Sequence, residues 1–411
     1  MIDLITGNEA AAWGARLAKV DYVPIYPITP QTEIVERLSE WAAKGLIPAK
    51  ITKMESEHSM VTAAGAAALA GARVFTATSS QGLLYAFEML YNVSGWRAPM
   101  VMVNVSRGLA SPLTLLPDHN DVFAARDSGF LQFHAENCQE ALDSVILAYK
   151  IAEDKRVMLP ALVNLDGFYL SYTREEVDIP DDQSVSDFLG NYPVKPLSRE
   201  NLPSMGITTL DPSVYSYFRY QVHLAQERAK SALKDANEEF KKTFGRSHEP
   251  VQGYMDEDAD YVLIISDSFT TSARAAIKKL RDKGTSAGVI KLWATRPFPS
   301  EELEKKLRGK KGVAVYDQDL SPGLGGVIYQ EVAGALYGKE ESPKLASFIG
   351  GLGGKPLTEL EVEAMLKYLR EGDVGQGPHL LFTDSDLKTV RFQMELALKG
   401  GGGVKSGRSR L

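Results

Sequence analysis

Short apolar runs alternate with helical patterns over the first 175 residues, and this alternation constrains the fold more than any other feature of the chain. Such a rhythm predicts parallel strands joined by helices that cover the sheet. The predicted strands are Asp3–Thr6, Tyr22–Tyr26, Arg73–Ala77, Met100–Val105 and Leu159–Leu165. The predicted helices are Glu9–Ala18, Gln31–Ala43, Glu57–Ala70, Leu83–Ser94 and Gln139–Asp154.

The alternation returns near Asp260, and between the two regions Tyr215–Phe244 predicts one long charged helix whose Lys and Glu side chains indicate a solvated face. In the later region the predicted strands are Tyr261–Ser266, Ala287–Leu292, Gly312–Tyr316 and Leu345–Ile349, and the helices are Thr270–Lys283 and Val327–Tyr337. We therefore predict two parallel-sheet α/β domains joined by a partly helical connector. In chain order the first domain, the connector, the second domain and an aperiodic, extended tail occupy residues 1–175, 176–257, 258–372 and 373–411.

Composition removes several classes of function. A chain of 411 residues is too long for one core and fits two or three domains. Its net charge of −7 gives no support for nucleic acid as a partner. No apolar stretch is long enough for a membrane span, and the start at Met1 does not resemble a signal peptide, so a cytoplasmic protein is expected. The one cysteine, Cys138, can form neither an internal disulfide nor a four-cysteine iron–sulfur cluster.

Three polar motifs follow predicted strands, where open α/β sheets bind their ligands. They are Tyr26-Pro27-Ile28-Thr29-Pro30, Glu55-Ser56-Glu57-His58 and Thr76-Ala77-Thr78-Ser79-Ser80-Gln81-Gly82. Thr29 is expected to cap a helix that Pro30 opens, and a helix N-terminus of that kind attracts anions. Glu57 and Gln81 are expected near the starts of two further helices. The three helix starts predict one assembled site.

Two glycine-rich runs, Gly323–Gly326 and Gly350–Gly354, also follow predicted strands. Neither completes the dinucleotide fingerprint, and Lys355 is followed by Pro356, which breaks the P-loop pattern. We expect tight turns at both runs. The common metal-binding and nucleophile motifs are absent from the sequence, and its 6 histidines are scattered, so no metal site is predicted in this chain.

The three polar motifs that follow predicted strands, together with further runs, resemble the α subunit of 2-oxoacid:ferredoxin oxidoreductases. The further runs are Ser106-Arg107, Asp118-His119, Leu165–Phe168, Arg296–Pro299, Leu320–Gly323 and Gly350–Gly354. The resemblance implies thiamine diphosphate as cofactor, a first domain that binds its pyrimidine and a second domain similar to the C-terminal domain of transketolase. It further implies oxidative decarboxylation of a 2-oxoacid, such as pyruvate, to an acyl-coenzyme A and CO2.

The sequence lacks the G-D-G motif that binds the diphosphate and magnesium in such enzymes. The resemblance therefore implies that this chain is half of an active site. A diphosphate-binding β subunit would hold magnesium, and partner subunits of the γ and ferredoxin-like types would carry iron–sulfur clusters that pass electrons to ferredoxin or NAD. Coenzyme A and the 2-oxoacid would be the small-molecule substrates.

The resemblance also assigns roles to residues. Glu57 would be catalytic, because a carboxylate bonded to the aminopyrimidine favours loss of the reactive C2 proton. Thr29 and Arg107 would hold the substrate carboxylate. The predicted cofactor contacts are Pro27, Ile28, Glu57, Gln81 and Gly82. The residues alone also allow Glu57 as an acid favoured by the helix dipole, Thr29 as a simple cap and Arg107 as a surface arginine.

The loop after Arg107 departs from the family pattern, because leucines and a proline make it more apolar. Its possible pocket residues are Leu113, Leu115, Leu116, Asp118 and His119. An apolar pocket suits an aromatic or branched 2-oxoacid such as phenylglyoxylate, whereas sequence drift in a pyruvate enzyme explains the same residues. Two other classes remain open from the sequence: a nucleotide-binding dehydrogenase subunit, and a non-catalytic scaffold subunit of an electron-transfer complex.

Overall fold

The computed structural model describes residues 1–197, 200, 206–372 and 377–400, with side chains through residue 397. The strands of the first part are β1 (Ile2–Thr6), β2 (Tyr22–Ile25), β3 (Lys50–Lys53), β4 (Phe75–Thr78), β5 (Val101–Ser106), β6 (Leu131–His134), β7 (Ala161–Asp166) and β8 (Arg174–Asp178). Its helices are α1 (Gly7–Leu17), α2 (Thr32–Ala43), α3 (Glu57–Leu69), α4 (Gln81–Tyr85), α5 (Phe87–Gly95), α6 (Asn120–Ala124) and α7 (Cys138–Ala152).

The second part begins with α8 (Asp182–Leu189) and the long helix α9 (Pro212–Phe244). Its remaining strands are β9 (Val251–Tyr254), β10 (Tyr261–Ile265), β11 (Ala287–Leu292), β12 (Ala294–Arg296), β13 (Gly312–Asp317), β14 (Lys344–Ile349) and β15 (His379–Leu380). Its remaining helices are α10 (Phe269–Asp282), α11 (Ser300–Leu307), α12 (Val327–Leu336), α13 (Glu359–Glu371) and α14 (Asp384–Gly400).

Two sheets organise these elements. The first has the order β12-β6-β7-β5-β4, parallel except for β12, and the second has the order β15-β14-β13-β10-β11-β9, parallel except for β9. Strands β4, β5, β6 and β7 are buried along their whole length, as expected for parallel strands covered on both faces. The α/β fold with two parallel-dominated sheets confirms the predicted fold class.

Two strands predicted for the first sheet lie elsewhere. β1 pairs with β8 in a small antiparallel sheet, and its outer half is exposed, with Leu4 at 59%. β2 pairs with β3, and an isolated bridge between Tyr22 and Val74 and a hydrogen bond from Thr76 Oγ1 to the carbonyl of Pro24 at 2.8 Å connect it to the chain at β4. Apolar runs show that a segment forms a strand, but not which sheet it joins.

Three differences from the predicted segments concern the later chain. β12 lies within the predicted second domain, residues 258–372, yet pairs with β6 of the first sheet. Part of the predicted extended tail is helical, because α14 covers residues 384–400. The end of the predicted tail, residues 401–411, lies outside the described residues. The exact domain boundaries stay a prediction.

The carboxyl ends of the two sheets face each other through buried polar side chains. At the end of β7, Asp166 accepts a hydrogen bond from the backbone N–H of Ser268, 3.1 Å away and just after β10. Asn164 Nδ2 donates to Asp267 Oδ1 at 3.2 Å. The ligand-binding edges of both sheets are thus joined. No helix in the described part of the chain is long and apolar enough to cross a membrane.

Candidate active site

The turns that follow β4 and β5 are held together by one buried carboxylate, Asp121, at the start of α6. Its Oδ2 accepts hydrogen bonds from the backbone N–H of Ser80 at 3.1 Å and from Asn104 Nδ2 at 3.0 Å, and its Oδ1 accepts from Ser106 Oγ at 2.9 Å. Burial raises the pKa of Asp121 to about 6. The two turns, which carry Gln81 and Arg107, are therefore fixed relative to each other.

Arg107 connects these turns to the Tyr26–Pro30 motif. Its Nη1 donates to the backbone carbonyl of Thr29 at 2.8 Å, and its Nη2 donates to Gln81 Oε1. The structure thus places Thr29, Gln81 and Arg107 together. Arg107 is 8% exposed, and its Nε has no partner among the described residues.

The expected cap at Thr29 is wrong. Helix α2 begins at Thr32, its N-cap is Gln31, and no side chain bonds the first turn. Thr29 and Pro27 are exposed and Ile28 is half-buried, so this motif forms an open rim beside Arg107. The side chain of Gln31 donates to the carbonyl of Tyr26 at 3.0 Å and makes no capping hydrogen bond.

Glu57 is the first residue of α3, which Ser56 caps by accepting a hydrogen bond from the N–H of Ser59 at 3.2 Å. Its side chain is buried, at 5% exposure, and faces the start of α4. A Cβ at Gly82 would lie 2.5 Å from Glu57 Oε1, so only glycine allows α4 to approach the carboxyl group this closely. Burial raises the pKa of Glu57 above its usual range.

Several buried polar atoms near Glu57 and Arg107 lack a partner among the described residues. They are Thr78 Oγ1, Ser79 Oγ, Gln81 Nε2 and Arg107 Nε. Buried polar groups in proteins are nearly always hydrogen-bonded, and a cluster of exceptions is consistent with a site that binds water, an ion or a ligand. This set, with the protonatable Glu57, fits a ligand that offers both donors and acceptors, as an aminopyrimidine ring does.

Asp118 and His119, two of the possible pocket residues, lie behind the site. His119 is fully buried, with Nε2 at 2.9 Å from Asp166 Oδ1 and 3.3 Å from Asp267 Oδ2. Burial alone would lower the pKa of His119, but the two carboxylates outweigh it and raise the pKa to about 10. His119, Asp166 and Asp267 also have the spacing of a metal-ligand set, with their ligand atoms within 4.8 Å of one another. Because both carboxylates already contact His119, we interpret the three side chains as an ion-paired link between the two sheets.

The leucine loop, residues 108–117, begins directly after Arg107. Its leucines are largely exposed: Leu113 at 68%, Leu115 at 47% and Leu116 at 40%. The loop closes on itself, since the N–H of Gly108 donates to the carbonyl of Leu116 at 3.0 Å. These side chains therefore lie at the surface beside Arg107 and do not line an enclosed cavity within the chain.

The first of the two glycine-rich runs, Gly323–Gly326, directly precedes α12. The first N–H groups of that helix are already occupied, because Asp317 accepts from Ile328 at 2.7 Å and Tyr329 at 3.3 Å. Gly326 is required there, since a Cβ would lie 2.0 Å from Asp317 Oδ2. A helix start filled by a carboxylate does not accommodate a dinucleotide phosphate, so this run gives no support to a nucleotide-binding dehydrogenase.

Comparison with known proteins identifies the family. Residues 13–238 match the family described as pyruvate flavodoxin/ferredoxin oxidoreductase, thiamine diphosphate-binding, and residues 259–362 match pyruvate:ferredoxin oxidoreductase core domain II. The chain belongs to the 2-oxoacid:ferredoxin oxidoreductases, as an α subunit. The resemblance drawn from the motifs is confirmed.

Relatives within the 2-oxoacid:ferredoxin oxidoreductases align along most of the chain. Pyruvate synthase subunit PorA of Methanothermobacter thermautotrophicus is 42% identical over 89% of this chain and 95% of its own length. The corresponding subunit of Pyrococcus furiosus is 40% identical over 90% and 95%. Ketoisovalerate oxidoreductase subunit VorA of Pyrococcus horikoshii is 40% identical over 90% and 93%.

Two solved structures share the fold at low sequence identity. The 2-oxoglutarate:ferredoxin oxidoreductase from Magnetococcus marinus has a TM-score of 0.68 and 19% identity, covering 90% of this chain and 65% of that one. A split gene transketolase has a TM-score of 0.53 and 14% identity, covering 89% and 98%. Both support the α/β architecture of this oxidoreductase subunit.

Sequence reasoning missed Asp121, which organises the site of this 2-oxoacid:ferredoxin oxidoreductase subunit. A signal was present: β5 carries Asn104 and Ser106 within an otherwise apolar run, and buried polar side chains need a partner. It also missed Asp267, whose contacts with His119 and His134 cross from one sheet to the other.

Proposed function

We propose that this chain supplies the pyrimidine-binding half of a thiamine diphosphate site and the carboxylate clamp for a 2-oxoacid. The observation that supports it most is the buried Glu57 against Gly82, beside unpartnered polar atoms that include Thr78 Oγ1 and Gln81 Nε2. When bound, thiamine diphosphate supplies a carbon nucleophile that attacks the 2-oxo group and holds the electron pair released with CO2.

Glu57 would hold or share a proton with a pyrimidine nitrogen. Burial raises the pKa of Glu57, which moves its carboxyl group toward the range in which it can hold or share a proton. Because Gly82 has no side chain, α4 lies directly against the carboxyl group of Glu57 and fixes its position. Pro27 and Ile28 belong to the exposed rim that the cofactor would contact.

Arg107 would bind the carboxylate of the 2-oxoacid, and Thr29 would bind it through its exposed hydroxyl. Two of the guanidinium nitrogens already hold Thr29 and Gln81, which orients the side chain, and Nε remains without a partner among the described residues. A fixed arginine positions the 2-oxo carbon for attack and stays charged at any working pH.

The rest of the reaction would come from partner subunits in the cytoplasm. A β subunit would bind the diphosphate and magnesium, and iron–sulfur clusters on γ and ferredoxin-like subunits would take the two electrons as coenzyme A accepts the acyl group. The sequence without G-D-G and with one cysteine supports this division. A non-catalytic scaffold would need neither the buried Glu57 nor the oriented Arg107.

Pyruvate is the substrate that the relatives' names favour, and the ketoisovalerate relative makes a branched acid the next candidate. The leucine loop is the part of the chain that would meet the substrate side chain, and its apolar surface keeps phenylglyoxylate in the test. An extra methylene changes such a preference by about 1–3 kcal/mol, so a few loop residues can decide among these acids.

The test uses the complex assembled with its partner subunits. Glu57→Gln keeps the shape but cannot share the proton, and kcat on pyruvate should fall by roughly 10²–10⁴. Glu55→Gln is the matched control, because Glu55 lies two residues away and is exposed. Assembly is checked by size-exclusion chromatography, and near-normal turnover by the assembled Glu57→Gln complex refutes the role.

A further inference from the structure

The glycine brace, Gly350–Gly354 after β14, packs against the leucine loop. The N–H of Gly353 donates to Asp118 Oδ2 at 3.3 Å, and the carbonyl of Gly354 accepts from Tyr169 Oη at 2.7 Å. The backbone N–H of His119 donates to the carbonyl of Gln318, 2.8 Å away and just after β13. The loop is therefore fixed at its base to the second sheet.

The brace touches the loop as bare backbone. A Cβ at Gly354 would lie 2.5 Å from Leu116 Cβ and 3.1 Å from Pro117 Cδ, well inside contact distance. Gly351, Gly353 and Gly354 have φ of 70°, 58° and 77°, which glycine adopts without strain. Glycine at position 354 thus serves two requirements: its backbone conformation, and the close approach of Leu116.

The loop is also fixed on its other side. Ser80 Oγ donates to the carbonyl of Gly108 at 3.3 Å, and Ser80 precedes Gln81 of the cofactor-side turn. A Cβ at Gly108 would lie 2.4 Å from Thr114 Cγ2, so the loop folds back tightly on its own start. Between these attachments Leu116 has the brace on one side and remains 40% exposed.

We propose that the glycine brace is a back wall that sets how far Leu116 reaches toward the 2-oxoacid, and so selects substrate size from the second sheet. The inference rests on the proposed function, because it assigns a specificity role to the same site. Gly354 is a positioning residue in this scheme: it acts through Leu116 and does not touch the substrate.

The proposal fixes the direction of the effect. A side chain at position 354 pushes Leu116 away from the brace, and the open side of the loop is the one left to it. The space for a branched substrate then shrinks, while pyruvate, which has only a methyl group, is less affected. Gly354→Ala should lower the kcat/KM ratio of 2-oxoisovalerate to pyruvate by about threefold to tenfold.

The matched control is Gly338→Ala. Gly338 has nearly the same φ, 72°, but no atom lies within 4 Å of the position of its Cβ, so it reports backbone strain alone. Leu116→Gly removes both the Cβ that would clash and the side chain that the brace positions, so in its presence Gly354→Ala should no longer change the ratio, a coupling that a merely destabilised protein would not show. Hydrogen exchange of residues 108–117 in the isolated chain reports the contact without activity, and Gly354→Ala should accelerate it.

The outcomes separate the two proposals. The back wall is supported by an altered ratio and faster loop exchange in Gly354→Ala that are both absent in Gly338→Ala, together with a ratio that no longer depends on position 354 in the Leu116→Gly background. An unchanged ratio, or an equal change in Gly338→Ala, overturns it even if the wild-type complex is active. A wild-type complex inactive on pyruvate, 2-oxoisovalerate and phenylglyoxylate overturns the proposed function and the size selection with it, while loop exchange still reports whether the contact exists.

Discussion

Gly82→Ala should reduce catalysis while leaving the fold intact. The added Cβ would lie 2.5 Å from Glu57 Oε1, 2.5 Å from Thr78 Oγ1 and 3.0 Å from Glu57 Cδ. Ordinary non-bonded contacts lie at about 3.5 Å, so the carboxyl group must move by about 1 Å. The carboxyl group ends a flexible side chain and the Thr78 hydroxyl can rotate about χ1, so both can move without moving the backbone of α3 or β4.

The size of the two effects follows from this geometry. Alanine in place of glycine favours a helix by about 0.5–1 kcal/mol, which offsets part of the repulsion, so the melting temperature should change by only a few degrees. A misplacement of about 1 Å at a reacting group can cost 10²-fold, and we expect kcat to fall by about 10- to 100-fold. Gly95→Ala, at the end of α5 with no atom within 4 Å of its Cβ position, is the matched control.

The assay is steady-state oxidation of the 2-oxoacid by the assembled complex, with thermal unfolding of the same preparation. If Gly82→Ala has the wild-type kcat, the argument that catalysis depends on the position of the Glu57 carboxyl group is refuted. A large loss of melting temperature would also refute it, because the strain would then have entered the backbone instead of the carboxyl group.

Three further predictions concern the Arg107 clamp, the binding of the cofactor and a buried ion pair. Arg107→Lys should raise KM for the 2-oxoacid by about tenfold or more, while Arg37→Lys on the surface of α2 should not; equal kinetics for both variants would remove Arg107 from the clamp. The isolated chain should bind thiamine diphosphate with magnesium more weakly than micromolar by calorimetry, and micromolar or tighter binding would contradict the shared site. Glu153→Ala removes the carboxylate that pairs with the buried Arg73 at 2.7 Å, and it should lower the free energy of unfolding in denaturant by about 3–5 kcal/mol. Glu239→Ala breaks an exposed pair and should lower that free energy by less than about 1 kcal/mol.

The periodic part of the fold could be predicted from the sequence. β11 was expected with its observed bounds, and the long charged helix differs from α9 by three residues at its start. β3, β6 and β12 were missed because they are short and carry Lys, Gln, His or Arg within the strand. Their pairing depends on neighbours distant in sequence, which local patterns do not contain.

The placement of some candidate site residues could be predicted where local chemistry decides it, and their roles stay a prediction. Gln81 and Arg107 follow β4 and β5, and neighbouring parallel strands bring such ends to one edge, whereas Glu57 follows β3, which lies in the small sheet with β2. The cap at Thr29 was wrong because the first turn of α2 is set by Gln31. The buried place of His119 could not be predicted, since its carboxylate partners come from two different sheets.

The pairing of β12 with β6 affects the order in which the chain can fold during its synthesis. Its partner β6 is synthesised some 160 residues earlier, so the first sheet keeps an open edge until the ribosome has passed Arg296. Contacts that distant in sequence slow folding, and an unpaired strand edge favours association with other chains. Nascent chains of this subunit should therefore depend on chaperones until that point, and fragments ending before residue 294 should aggregate on expression.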